Sequence, residues 1–131
     1  MPPKHTILIV DDEPDFLEVM RVRLEANDYE VITSSNGEDA LNHIANDKRD
    51  AVLLDILMPG IDGPEVLSRI RKTDETLPVY MITAFSTDER FKIANKFGAS
   101  GFIVKTDDLA KQVDNITSAL SMSARIHKKG K

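Results

Sequence analysis

The chain has 131 residues, 22 acidic against 17 basic side chains for a net charge of -5, and no cysteine. That length suits one domain with a single substantial core; the missing cysteines exclude a disulfide framework or a thiolate metal site, and the acidic balance disfavours general nucleic-acid or anionic-membrane binding. Hydrophobic content of 41% with 30% charged residues is ordinary for a globular protein, and no apolar run reaches the ~18 residues of a membrane-spanning helix. The first apolar run is too short for a signal-peptide core, so the cytoplasm is the expected location.

Short apolar runs alternate with segments of helical period along the whole chain. The first predicted strand, 6–10 (TILIV), stops at Asp11, Asp12 and Glu13, and Pro14 suits the first turn of a helix striped by Phe16, Val19, Met20 and Leu24. A more polar strand follows at 29–34 and suits a sheet edge; the next helix carries Ala40, Leu41 and Ile44. The third strand, 51–55, ends on Asp55 and opens the stretch DILMPGIDG, where Pro59 punctuates a loop and Asp62 with Gly63 reads as a turn and helix start ahead of Val66, Leu67 and Ile70. The fourth strand, 78–83, ends on Thr83, and its helix is marked by Phe91, Ala94 and Phe97, with Gly98 as C-cap. The fifth, 101–105, ends on Lys105, and Thr106 is the expected N-cap of a helix carrying Leu109, Val113, Ile116 and Leu120.

Nearly continuous apolar strands indicate parallel neighbours covered on both faces. Five βα units in a row therefore predict an open α/β sheet, since a closed eight-unit barrel needs about twice the length. Ligands of such sheets bind beyond the carboxyl ends of the strands. Asp11, Asp12, Asp55, Thr83 and Lys105 all fall at that edge. At ~4 to 5 Å and an effective dielectric of ~20, each pair of like charges costs roughly 4 kcal/mol, so the acids call for a bound cation or for chemical alteration of one carboxylate. A hard ion such as Mg²⁺ takes one or two carboxylates and completes its shell with water and phosphate. Asp12 and Asp55 are the candidate ligands, Asp11 the holder of a coordinated water, and Lys105 the balancing charge. An aspartate beside a metal, a lysine and a threonine is suited to attack phosphorus, which makes Asp55 the candidate nucleophile.

The set Asp11-Asp12, Asp55 within DILMPGIDG, Thr83-Ala84 and Lys105, in this order and spacing, resembles the receiver domain of two-component response regulators, over roughly residues 5–121. The resemblance implies a five-stranded parallel sheet of order 2-1-3-4-5, a flavodoxin-like, doubly wound (βα)5 three-layer sandwich, with a receiver domain over 1–121. It implies that Asp55 accepts a phosphoryl group from a histidine kinase or phosphotransfer protein. Mg²⁺, or Mn²⁺ in its place, would be held by Asp12, Asp55 and the backbone carbonyl of Leu57, with Asp11 acting through water. Thr83 and Lys105 would contact the phosphoryl oxygens. Movement of Thr83 would couple to Phe102 and reshape the face of the fourth helix, fifth strand and fifth helix, where a downstream protein docks. Such a domain catalyses only its own phosphorylation and dephosphorylation, acts as a monomer or phosphorylation-dependent dimer, and contacts neither membrane nor nucleic acid directly.

Several positions depart from that pattern or have plainer readings. The family's lysine is usually followed by proline in a cis peptide; Thr106 stands here, and a trans bond is expected. Phe102 stands where tyrosine is commoner, so a switch there works by packing, and simple core packing is its plainer reading. Leu57 and Phe85, two residues beyond Asp55 and Thr83, offer an attacking water no hydrogen bond, so a long-lived phosphorylated state is expected. The DDEP run alone would serve as an ordinary acidic helix N-terminus. His5, His43 and His127 lack metal spacing and are expected at the surface. Residues 122–131 end in Arg125, Lys128, Lys129 and Lys131 and read as a basic disordered tail or a partner-binding element.

Two enzyme or cofactor classes compete poorly. A haloacid-dehalogenase-like phosphatase expects D-x-D on its first strand, and an FMN binder expects a hydroxyl- and glycine-rich loop where DDEPD would repel phosphate. A degenerate receiver that only docks, and the N-terminal receiver of a longer multidomain regulator, remain the alternatives to a stand-alone regulator.

Overall fold

The computed structural model describes residues 4–46 and 49–123. Strands and helices alternate throughout: β1 (His5–Val10), α1 (Pro14–Glu25), β2 (Tyr29–Ser34), α2 (Gly37–Asn46), β3 (Ala51–Asp55), α3 (Gly63–Thr73), β4 (Val79–Thr83), α4 (Asp88–Lys96), β5 (Gly101–Val104) and α5 (Leu109–Ser121). All strand pairs are parallel, and the sheet order is β2-β1-β3-β4-β5, as the resemblance implies. The polar second strand is an edge, and the three central strands are buried except at the start of β1. Helices cover both faces because the period-2 pleat splits each apolar strand between them. Leu8, Val10, Val52, Leu54, Val79 and Met81 pack with α2, α3 and α4, while Ile7, Ile9, Leu53, Ile82 and Ile103 pack with Leu17, Met20 and Leu24 of α1 and Ile116 and Leu120 of α5.

That parity also aims the strand ends. Asp11, Asp55 and Lys105 each continue the alternation of Ile9, Leu53 and Ile103, on the α1/α5 side of the sheet. Val10 pairs with Leu54, so Asp11 and Asp55 emerge side by side. Asp55 pairs with Ile82, and Thr83 with Val104, which brings the ends of β3, β4 and β5 to the same edge.

Local differences from the sequence expectations have local causes. Pro78 and Lys105 lie just outside their strands, and β1 starts one residue earlier, at His5. Lys105 still extends the ladder, donating its N–H to the Thr83 carbonyl at 2.8 Å. Asp108, not Thr106, caps α5: its carboxylate accepts from Lys111 N–H, and the Thr106 hydroxyl instead accepts from Asp108 N–H, tightening the approach to the helix. Val19 and Phe91 are not core residues. On α1 the buried positions are Leu17, Met20 and Leu24; on α4 only Ala94 is buried, and Phe91 is half exposed with its ring edge against Phe102, 5.7 Å between centroids. His5 and His43 are partly buried rather than fully exposed, with Asp50 and Asp39 lying 3.7 and 3.4 Å from their rings. His127 and the basic tail residues lie outside the described residues.

Other punctuation holds. Pro14 opens α1, Gly98 follows α4 with φ +87°, and Asp62 caps α3 by accepting from Glu65 N–H. Gly63 is required for a different reason: a Cβ there would stand 2.2 Å from the Asp55 carbonyl oxygen and 2.8 Å from Ile56 Cα. This close approach seats the start of α3 against the strand end that carries Asp55. Gly63→Ala is expected to lower unfolding stability by about 1 to 3 kcal/mol, measured by urea denaturation.

Candidate functional site

Asp11 and Asp55 are almost fully removed from solvent, at 0% and 5% exposure, whereas Asp12 is exposed. Each carboxylate is oriented by the backbone that follows it. Asp11 Oδ1 accepts from Glu13 N–H at 2.9 Å, and Asp55 Oδ1 from Leu57 N–H at 3.3 Å. Their second oxygens are left for the site: Lys105 Nζ lies 2.7 Å from Asp11 Oδ2 and 3.8 Å from Asp55 Oδ2. Thr83 is buried at the end of β4, where its hydroxyl accepts from Phe85 N–H at 3.2 Å.

Burial pushes the Asp55 carboxyl up to about 6, with the neighbouring Asp11 charge adding to the rise and Lys105 opposing it. Asp11 is raised for the same first reason, against the pull of its bond to Lys105. For Lys105 burial acts downward, but its bonds to Asp11 and Glu13 outweigh it and raise the ammonium's pKa. The lysine thus stays charged among acids that are reluctant to ionise.

Asp11, Asp12 and Asp55 each offer a carboxylate oxygen, all within 4.8 Å of one another. An octahedral Mg²⁺ at ~2.1 Å sets neighbouring donors ~3.0 Å and opposed donors ~4.2 Å apart, so an all-oxygen, carboxylate-rich set on this scale suits a hard cation once the side chains draw in around it.

The Lys105–Thr106 peptide is trans, since there is no cis bond among the described residues. Lys105 nevertheless points into the acid cluster. Thr106 brings an N–H that proline would lack, and Gln112 of α5, 1% exposed, accepts it through Oε1 at 2.8 Å. Two further residues about the lysine were not singled out from the sequence: Glu13 Oε1 lies 2.8 Å from Nζ, and the Phe16 ring 4.4 Å from it. The acid beside the DD pair was visible in the sequence, but its partner, 92 residues away, was not.

Residues 7–117 match the family model of the response regulator receiver domain. The chain belongs to that family. It is 35% identical over 117 residues to the transcriptional regulatory protein YkoG of Bacillus subtilis, covering 89% of this chain and 51% of that protein, and 37% identical over 101 residues to the alkaline phosphatase synthesis transcriptional regulatory protein PhoP of the same organism, covering 76% and 41%. The chain therefore spans about half the length, or less, of these relatives. Among solved structures, a CheY-like receiver domain from Methanospirillum hungatei superposes with a TM-score of 0.83 at 27% identity, covering 92% of this chain and 96% of that one. The response regulator TrrA from Thermotoga maritima, solved in complex with Mg²⁺ and BeF, superposes with a TM-score of 0.77 at 33% identity, covering 88% and 98%. The chain is thus a receiver domain of the two-component response regulators, in general a signalling domain rather than a classical enzyme; such domains bind Mg²⁺ at an acidic pocket, and Asp11, Asp12 and Asp55 form an acidic cluster here. Among the described residues no helix is long and apolar enough to cross a membrane.

The raised Asp55 has a sign that is testable in metal-free buffer. A folded pKa near 6 against an ordinary 3.8 means that the native state binds the proton more tightly than the unfolded chain. Ionised Asp55 then destabilises the fold above pH 6, and this cost is relieved as pH falls from about 6 to 4. Asp55→Asn is expected to stabilise the domain by about 1 to 3 kcal/mol at pH 7, with the difference from wild type shrinking toward pH 4 in denaturant titrations.

Proposed function

We propose that Asp55 is the phosphoacceptor of this receiver domain. The observation that carries the reading is the buried Asp55 carboxylate, with oxygens of Asp11 and Asp12 within 4.8 Å and the Lys105 ammonium 3.8 Å away. An Asp55 oxygen attacks the phosphorus of a phosphohistidine on a histidine kinase or phosphotransfer protein. The new O–P bond forms as the P–N bond breaks, and the imidazole leaves with the electron pair. Asp12, Asp55 and the Leu57 carbonyl would hold Mg²⁺, with Asp11 acting through a water; Mn²⁺ would serve in its place. The ion supplies charge neutralisation at the phosphoryl oxygens. Lys105 neutralises a further oxygen, and Thr83, whose hydroxyl keeps its own proton while it accepts from Phe85 N–H, donates to another.

The reading extends to output and place. Phe102, partly buried and edge-on to Phe91, is the packing partner through which movement of Thr83 would reach α4. Phe91, Ile93 and Val104 expose apolar surface on α4 and β5, which supports docking of a downstream protein at the α4, β5 and α5 face, as a monomer or a phosphorylation-dependent dimer, in the cytoplasm. We assign residues 1–121 to the receiver unit, alone or as the first part of a longer regulator; of the stretch 122–131 read as a tail, Met122 closes α5 and Ser123 is buried, and the others lie outside the described residues.

The direct test is acetyl phosphate with Mg²⁺, read by intact mass. Wild type is expected to gain one phosphoryl group; Asp55→Asn, or wild type with the metal chelated, is expected to gain none. Modification of Asp55→Asn, or no modification of wild type, would overturn the assignment.

Leu57 and Phe85, 47% and 68% exposed, stand beside the acceptor and Thr83 and offer water no hydrogen bond. Replacing them together, by Leu57→Asn and Phe85→Glu, is expected to shorten the phosphorylated half-life at least about tenfold by orienting a hydrolytic water. An unchanged half-life, followed by loss of the phosphoryl mass, would refute this role.

A further inference from the structure

Lys105 is held by more than the phosphoacceptor reading employs. Its two shortest pairs, 2.7 Å to Asp11 and 2.8 Å to Glu13, have hydrogen-bond length, whereas Asp55 stands 3.8 Å away. The Phe16 ring adds a cation–π contact at 4.4 Å. Asp11, Glu13 and Phe16 all belong to the end of β1 and the start of α1, so the ammonium is drawn toward that segment and away from the acceptor. Glu13 occupies the N-cap position of α1, yet its side chain makes no capping hydrogen bond. Its backbone N–H is fixed by Asp11 Oδ1, and its carboxylate extends to the lysine instead.

Building on Asp55 as phosphoacceptor, we propose that Glu13 is a positioning residue that parks Lys105 in the unphosphorylated domain. Its carboxylate competes with Asp55, and then with the phosphoryl oxygens, for the ammonium. The parked arrangement keeps a cation in a crowded acidic site without tying it to the nucleophile. A phosphoryl group on Asp55 offers strongly charged acceptors close by, and Lys105 leaves Glu13 for them. Because the side chain of Glu13 is mostly exposed, 63% against 11% for Lys105, the contact is weak enough to open. A pair of this kind shifts a competing equilibrium by roughly two- to fivefold.

The test uses beryllofluoride, a phosphoryl mimic, titrated into Mg²⁺-saturated protein and followed by the amide resonances of Thr83 and Ala84, together with the side-chain resonances of Lys105. Glu13→Gln is expected to bind beryllofluoride roughly two- to fivefold more tightly than wild type, and to shift the Lys105 side-chain resonances before any is added. Glu13→Asp keeps the charge but retracts it by one methylene, and is expected to move both readouts the same way. Equal or weaker binding by Glu13→Gln would overturn the proposal. So would a Glu13→Asp protein that matches wild type while Glu13→Gln binds more tightly, since that is the signature of a general field and not of a contact. If beryllofluoride shifts nothing near Asp55 in wild type, the phosphoacceptor reading fails and the parking role with it. Equal affinities in wild type and Glu13→Gln overturn the parking role alone.

Discussion

One ammonium in a nest of carboxylates is the constraint around which the rest of the structure is arranged. Asp11 and Asp55 are buried side by side, and two such acids resist ionising together. Lys105, 2.7 Å from the first and 3.8 Å from the second, offsets that repulsion from the far side of β4. The sheet order makes this possible. It sets β1 and β3 adjacent, so the acids meet, and leaves one strand between them and β5, a gap that only a long side chain bridges.

The backbone around these groups is built to hold them still. Asp11 and Asp55 each lock one oxygen on an N–H two residues ahead, leaving the other directed to the site. Gly63 lets α3 begin directly against the Asp55 carbonyl, where any side chain would collide. On the lysine side, the Thr106 N–H is held by the buried Gln112 amide, so a trans peptide delivers the ammonium to the acids. The unfavourable part of the site is thus its crowded charge, while hydrogen bonds to backbone N–H groups aim both carboxylates and the segment after the lysine.

Much of this was legible in the sequence, and the reasons are physical. Apolar runs such as AVLL at 51–54 and VYMI at 79–82 leave little alternative to strands buried on both faces, and Asp55 and Thr83 follow them at the sheet edge in consequence. Caps were less legible. Thr106 and Asp108 both suit an N-cap, and the choice fell to the residue whose carboxylate reaches Lys111 N–H, a matter of one turn's geometry. Phe91 shows why an apolar stripe does not assure burial: α4 lies near the β5 edge of the sheet, and its phenylalanine meets the Phe102 ring edge-on yet stays half exposed.

By itself the sequence determined which chemistry the domain has available, because a residue's type and its place relative to a strand end are local properties. Three acids, a hydroxyl and a lysine at the carboxyl edge of a parallel sheet follow from the order of apolar runs and polar stops. Only the tertiary structure decided how the lysine is shared. Its partners Asp11, Glu13 and Phe16 lie some ninety residues earlier in the chain, and the balance among them depends on distances of 2.7, 2.8, 3.8 and 4.4 Å. Electrostatic competition turns on separations of that size, and no pattern along the chain encodes them.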